Sequence, residues 1–279
     1  MKNQIIPIGP LSKYEEEQYG EIVEWENKTP SVVGKTVGML MKPVSWVVEK
    51  VIPSKAIEGA LAASNKVAEM LADTKDIVRD ASVSRIDELR HKDLKLSDHL
   101  ANEVHNWAIG VATVEGGAAG YFGIAGMAID IPTLITLSLR TIHKIGLCYG
   151  YECKTEADKN YVLAIMSAAG ANTVQEKSTS VATLQAMNVM IAKTTWKKMA
   201  ERAAANKYGL EAAIMAIKNL AKQLGINLTK RKAAQAIPFV GSAVGAAMNL
   251  AFINDVAWAA RRAFQQRWLI ENGKVAPAQ

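Results

Sequence analysis

Two glycine-rich apolar segments, each closing on an aspartate, constrain this 279-residue chain more than anything else in it. The first runs from Trp107 to Pro132 and holds fourteen uncharged residues between Glu115 and Asp130. The second lies within twenty-two uncharged residues, 233–254, that end just before Asp255. Neither alternates apolar and polar residues as a half-buried strand does. Glycine and alanine bury little area each, but they let helix backbones approach closely. Apolar residues make up 49% of the chain and aromatics only 6%, a balance that disfavours a β-sandwich. The expected fold is all-α, a compact multi-helix bundle with two Gly/Ala-rich, close-packed helical segments.

Both segments carry glycines four apart, Gly116/Gly120 and Gly241/Gly245, and the second of each pair precedes its aspartate by ten residues. The shared spacing raises internal duplication as an expectation. A glycine inside a helix costs about 1 kcal/mol relative to alanine, so close packing must offset it. Gly116, Gly120, Gly241, Gly245, Asn249 and Asp255 form the expected helix-packing set. Gly123 and Gly126 are expected to end a helix, with Asp130-Ile131-Pro132 starting the next. Asp130 and Asp255 then read as helix caps or as partners of Arg140, Arg261 or Arg262.

Elsewhere the signals are those of helix ends. Ser12 with Glu15 makes a capping box for a helix to about Asn27, and Thr155 with Asp158 makes another. Thr29-Pro30 and Pro53 open two further helices, the first carrying Trp46. The polar stretch 73–98 reads as short helices and connections. Longer helices are expected over 177–205, 209–224 and within 230–268. These elements divide into an acidic N-terminal helix or arm (1–29), a single helical domain (30–272) and a flexible tail (273–279).

Glu115 and Asp130 are the acids expected to be buried, and a buried carboxylate is either paired or protonated. With His143 they are the candidate catalytic residues, as a general acid/base set. Glu88-Leu-Arg-His91 matches half of a di-iron element but lacks the second copy. His99 and His105 are six apart and fall on different helix faces. No metal site and no cofactor is expected. Cys148 and Cys153 read as reduced thiols.

Net charge is +6, and between Lys193 and Lys232 ten basic residues face two acids. Lys193, Lys197, Lys198, Arg202, Lys230, Arg231 and Lys232 therefore form the candidate surface for an anionic partner. Aromatic interleaving is absent there, so nucleic acid is not the expected partner. The N-terminus lacks a signal-peptide core, which points to a cytoplasmic protein. Twenty-two uncharged residues suffice to span a bilayer. Gln235, Pro238, Asn249 and the abundance of alanine argue instead for a buried core helix. A membrane-inserting hairpin with flanking Lys/Arg anchors stays open.

These segments resemble the EcsC protein family. The likeness runs through Glu115-Gly116, Gly120, Gly123, Gly126, Asp130-Ile131-Pro132, Leu139-Arg140 and Tyr149-Gly150-Tyr151. It returns in Ile237-Pro238, Gly241, Gly245, Asn249, Asp255 and a terminal Arg/Phe-rich helix. The resemblance implies a bacterial, mostly helical, membrane-associated protein, and it carries over no catalytic residues. Three functional readings follow. The leading one is a non-enzymatic protein peripheral to the inner membrane, bound to anionic lipid or a transporter-type membrane protein. The others are an enzyme acting on a lipid-like substrate through Glu115 and Asp130, and a homo-oligomeric scaffold.

Overall fold

A computed structural model describes residues 5–29, 73–121, 123–171, 173–200 and 241–277. Side chains of 114–132, 192–200 and most of 241–248 lie outside this description, as do the expected helices after Thr29, Pro53 and Gly209. The order is β1 (Ile5–Pro7), α1 (Lys13–Asn27), α2 (Lys75–Asp80), a 3-10 segment (Ile86–His91), α3 (Leu94–Tyr121) and α4 (Gly123–Cys148). Then follow α5 (Glu156–Ala169), α6 (Val174–Ala200), α7 (Gly241–Glu271) and β2 (Val275–Pro277). The all-α expectation holds, and the one sheet among the described residues is the short pair β1–β2.

Two helix starts follow directly from local chemistry. Ser12 accepts from the Glu15 backbone N–H while Glu15 accepts from that of Ser12, so both orphan donors of the α1 start are satisfied. Thr155 and Asp158 do the same for α5. Each box costs the chain almost no extra ordering, because all partners sit within one turn.

The core is organised around α7. Every residue from Ala259 to Ile270 is buried, so this helix is covered on all sides rather than along one stripe. It packs most extensively on α3, and also on α4, α5 and α1. Phe264 sits between Tyr149, Tyr151 and Tyr161, stacked on the first two and edge-on to the third. Burying aromatic rings at one point gives a helix-rich, alanine-rich core its largest local apolar contribution.

Four expectations change here. Asp130 is not a cap: α4 begins at Gly123, so Gly126, Asp130 and Pro132 all lie inside it. A helix that has already made two turns leaves no orphan N–H groups at that point. Asp255 is likewise interior to α7. The two ten-residue Gly-to-Asp spacings are not structurally equivalent, because the first crosses the α3–α4 break and the second stays within one helix. Finally, 275–277 is no free tail. It pairs antiparallel with 5–7, Ile5 opposite Pro277 and Pro7 opposite Val275, and the Ile5 and Val275 side chains are buried.

Candidate functional site

Side-chain pairs fix how α3, α4 and α7 run past one another. Between α3 and α4, the Tyr149 hydroxyl bonds Asp98 and the Arg140 guanidinium covers Trp107. Nine residues forward on α3 thus match nine residues back on α4, an antiparallel hairpin closing at 121–123. Between α3 and α7, Asp98 meets Gln265, Asn102 meets Arg261, and His105 meets Asn254, again antiparallel. The end of α3, the start of α4 and the start of α7 therefore lie at one end of the bundle. Along this register Gly245 and Gly241 come level with Gly116 and Gly120, within about half a helical turn.

Charge changes along all three helices at the same height. From Asn106 to Tyr121, α3 has Glu115 as its sole charged residue, and from Gly123 to Leu139, α4 has Asp130 as its sole one. From Gly241 to Asn254, α7 has none. The boundary is marked by Trp107, 42% exposed, and by Arg140, whose guanidinium carbon lies 4.6 Å from the Trp107 ring centroid. On α7 it is marked by Asp255, one residue after the Asn254 that meets His105. Leu250 is exposed on the uncharged side.

Below that boundary the bundle is densely charged, and its buried charged side chains have polar partners. Asp98, almost fully buried, accepts from Tyr14 at 2.7 Å, from Gln265 at 2.7 Å and from Tyr149. Burial first, and the Asp98 carboxylate next, push both tyrosine hydroxyls up from their ordinary value. Arg262 donates to Gln18 and Gln265 at 2.8 Å each and to Glu21 at 3.0 Å. Arg267 pairs with Asp158 and Glu271 at 2.9 Å each and lies 4.1 Å over the Tyr151 ring. Arg90 covers Tyr151 too and donates to the Gly150 carbonyl. Such groups tolerate burial because each charge has a partner.

Between these two zones α1, α5, α6 and α7 enclose a cleft of about 420 Å3. Trp25 and Trp258 line it, with Glu21, Asp255, Arg262 and Lys177. Lys177 is buried, and its ammonium donates to the Trp25 and Lys28 carbonyls at 2.6 and 2.8 Å. It thus closes the C-terminal end of α1, where a cation is favoured. Burial pushes it down to about 8, with the Asp255 carboxylate pulling the other way.

Within the candidate catalytic set, His143 stands apart from Asp130. His143 and Asp130 are thirteen residues apart on the one helix α4, about 20 Å along its axis. His143 is buried, and burial, with Lys159 nearby, pushes its imidazole down to about 4, so it is neutral at pH 7. Glu115 lies on α3 and its side chain, like that of Asp130, falls outside the described residues. Arg261 and Arg262 are buried in the network above, so they are not surface anchors flanking a membrane segment. Lys193, Lys197 and Lys198 lie on the last turns of α6; Arg202, Lys230, Arg231 and Lys232 fall outside the described residues. Asn249 is buried on α7. His99 is exposed beside Glu103 whereas His105 is buried against Asn254, so the two do not converge. Among the described residues no group of acids, histidines and cysteines is placed to hold a metal ion, and no helix is long and apolar enough to cross a membrane.

Sequence reasoning misses Asp98, Lys177 and the Trp25–Trp258 cleft. Asp98 sits in a stretch that reads as surface connections, and α3 in fact begins four residues earlier, at Leu94. Its partners Tyr14 and Gln265 lie far away in sequence, and no local signal joins them.

Comparison with known proteins gives a consistent result. The uncharacterized protein YdbA of Bacillus subtilis (strain 168) is 24% identical over 189 residues, covering 68% of this chain and 64% of that protein. The match thus spans somewhat less than two thirds of its relative's length. No solved structure matches the chain. The EcsC protein family model matches residues 16–269, from the first turn of α1 almost to the end of α7. The chain belongs to the EcsC protein family.

Proposed function

We propose that this protein is a non-enzymatic helical module that docks on an anionic membrane surface through the uncharged end of its bundle. One observation carries the reading: beyond a common height marked by Trp107 and Arg140, the three helices keep only Glu115 and Asp130 as charged residues. Exposed tryptophan and a cation at such a boundary match the chemistry of a membrane interface, where indole rings and basic groups sit at headgroup level. From Trp107 to Tyr121 the hairpin measures about 21 Å, short of the ~30 Å hydrocarbon core. That length suits entry into one leaflet without crossing.

The glycine pairs Gly116/Gly120 and Gly241/Gly245, level with one another along the helices, favour a tip in which backbones can approach closely. The basic stretch 193–232 adds electrostatic attraction of about 1 kcal/mol for each residue near the surface. The membrane in question is the inner face of the cell membrane, and a membrane protein there is the alternative partner.

Co-sedimentation of the full chain with vesicles of phosphatidylcholine alone, or mixed with phosphatidylglycerol, tests this. Binding should be strong only with the anionic lipid, and Leu250→Glu, at an exposed position of the uncharged end, should abolish it while leaving the thermal midpoint unchanged. Equal and negligible binding to both vesicle types removes the proposal.

A further inference from the structure

Arg140 differs from the other buried or half-buried arginines. Arg261, Arg262 and Arg267 each donate to a side-chain oxygen, and one turn further along α4 Lys144 is bound to the Asp76 carboxylate at 2.6 Å. Arg140 has no such acceptor among the described residues. Its Nε, like that of Arg261, is covered and unpartnered, and the Trp107 ring braces one face of the guanidinium. The residue as a whole is half-buried.

We propose that Arg140, braced by Trp107, binds the phosphate of an anionic glycerophospholipid; this rests on the membrane-surface reading above. A guanidinium stacked on an aromatic face keeps its N–H fork in one plane, the geometry that takes two phosphate oxygens at once. Holding the group in place beforehand lowers the ordering cost of binding. Its height fits the same occupant. Arg140 stands where the uncharged part of α4 ends, the level at which the phosphates of a leaflet would lie once the tip is inserted. Lysine in its place would keep the charge but lose both the fork and the stacking.

The test is co-sedimentation of the full chain, Arg140→Gln and Arg140→Lys with phosphatidylcholine vesicles and with mixed phosphatidylcholine–phosphatidylglycerol vesicles at one ionic strength. Thermal midpoints are compared in parallel; because Arg140 donates no hydrogen bond to a side-chain acceptor among the described residues, they should differ only by the loss of its stacking on Trp107. Arg140→Gln should lower affinity for the mixed vesicles about tenfold, and Arg140→Lys should fall between it and the native chain. If native chain and Arg140→Gln bind the mixed vesicles equally, the phosphate assignment is wrong while the surface reading stands. If the native chain binds neither vesicle, the surface reading itself fails. A third arm titrates inorganic phosphate without lipid and follows tryptophan fluorescence. Saturation at micromolar phosphate, lost in Arg140→Gln, overturns the lipid assignment in favour of a free phosphate ligand.

Discussion

Asp98 and Gln265 meet at 2.7 Å in the middle of the bundle, tying α3 to α7 at the point where Tyr14 of α1 and Tyr149 after α4 also converge. Four parts of the chain are therefore specified by one carboxylate. Such a group fixes relative helix heights, since sliding α7 by one turn past α3 takes the Gln265 amide away from the carboxylate that it shares with Tyr14 and Tyr149.

Asp98→Ala should consequently be among the costliest single substitutions. It leaves two tyrosine hydroxyls and an amide without their shared acceptor, at a cost of about 1–3 kcal/mol for each one left unsatisfied. Tyr14→Phe removes one donor and should cost about 1 kcal/mol. Urea unfolding followed by circular dichroism measures both. A cost for Asp98→Ala no larger than that for Tyr14→Phe would show that the carboxylate does not organise the four segments.

Much of this arrangement is beyond the reach of sequence reasoning, for a physical reason. The capping boxes at Ser12 and Thr155 are complete within four residues, so their chemistry is local and legible. The uncharged runs are legible as composition. Their meeting at one end of the bundle is not, because it depends on α3 running antiparallel to both α4 and α7. Arg261, Arg262, Gln265, Gln266 and Arg267 look like a solvated face, yet all are buried. Their partners, among them Gln18, Glu21, Glu26 and Asp158, lie more than a hundred residues away. Strands β1 and β2 are three residues each, too short for any period to register.

The Arg267 cluster makes a second prediction. Burial alone pushes the Asp158 carboxyl up, but Arg267 beside it brings the net position below the usual carboxylate range. Arg267→Met removes that charge and leaves the half-buried Asp158 and Glu271 without it, at a cost of about 3 kcal/mol. Adding Asp158→Asn and Glu271→Gln to Arg267→Met should recover part of the loss, because no unpaired charge then remains. If the triple variant is as unstable as the single one, lost packing on Tyr151 rather than stranded charge is responsible.

His143 sets an acid limit on the fold. Its imidazole titrates near 4 in the folded chain and near 6.5 when unfolded. Between those values the unfolded chain binds the extra proton, so stability rises with pH across this window and is lost as pH falls through it. The contribution is on the order of 3 kcal/mol between pH 6.5 and pH 4. His143→Leu should therefore lose less stability than the native chain when urea midpoints at pH 7 and pH 4.5 are compared. Identical losses in the two proteins would mean that other groups carry the acid response.

Two glycines separate conformational need from conformational waste. Gly150 has φ of +88°, and a Cβ there would stand 2.6 Å from Arg90 Cγ and 2.7 Å from the Arg90 backbone nitrogen. Neither backbone strain nor clash is relieved by a flexible tip, since one contact is main chain. Gly150→Ala should cost about 1–3 kcal/mol and displace Arg90 from the Tyr151 ring, which links Tyr149-Gly150-Tyr151 to the stack under Phe264. Gly20 lies inside α1, and a Cβ added there would meet nothing within 4 Å. There alanine restricts only the unfolded chain, so Gly20→Ala should stabilise by about 0.5–1 kcal/mol. The opposite signs are the substance of the prediction, and thermal unfolding of the two variants side by side measures them. A destabilised Gly20→Ala would mean that α1 meets a surface not among the described residues, and a neutral Gly150→Ala would mean that the turn after α4 relaxes without moving Arg90.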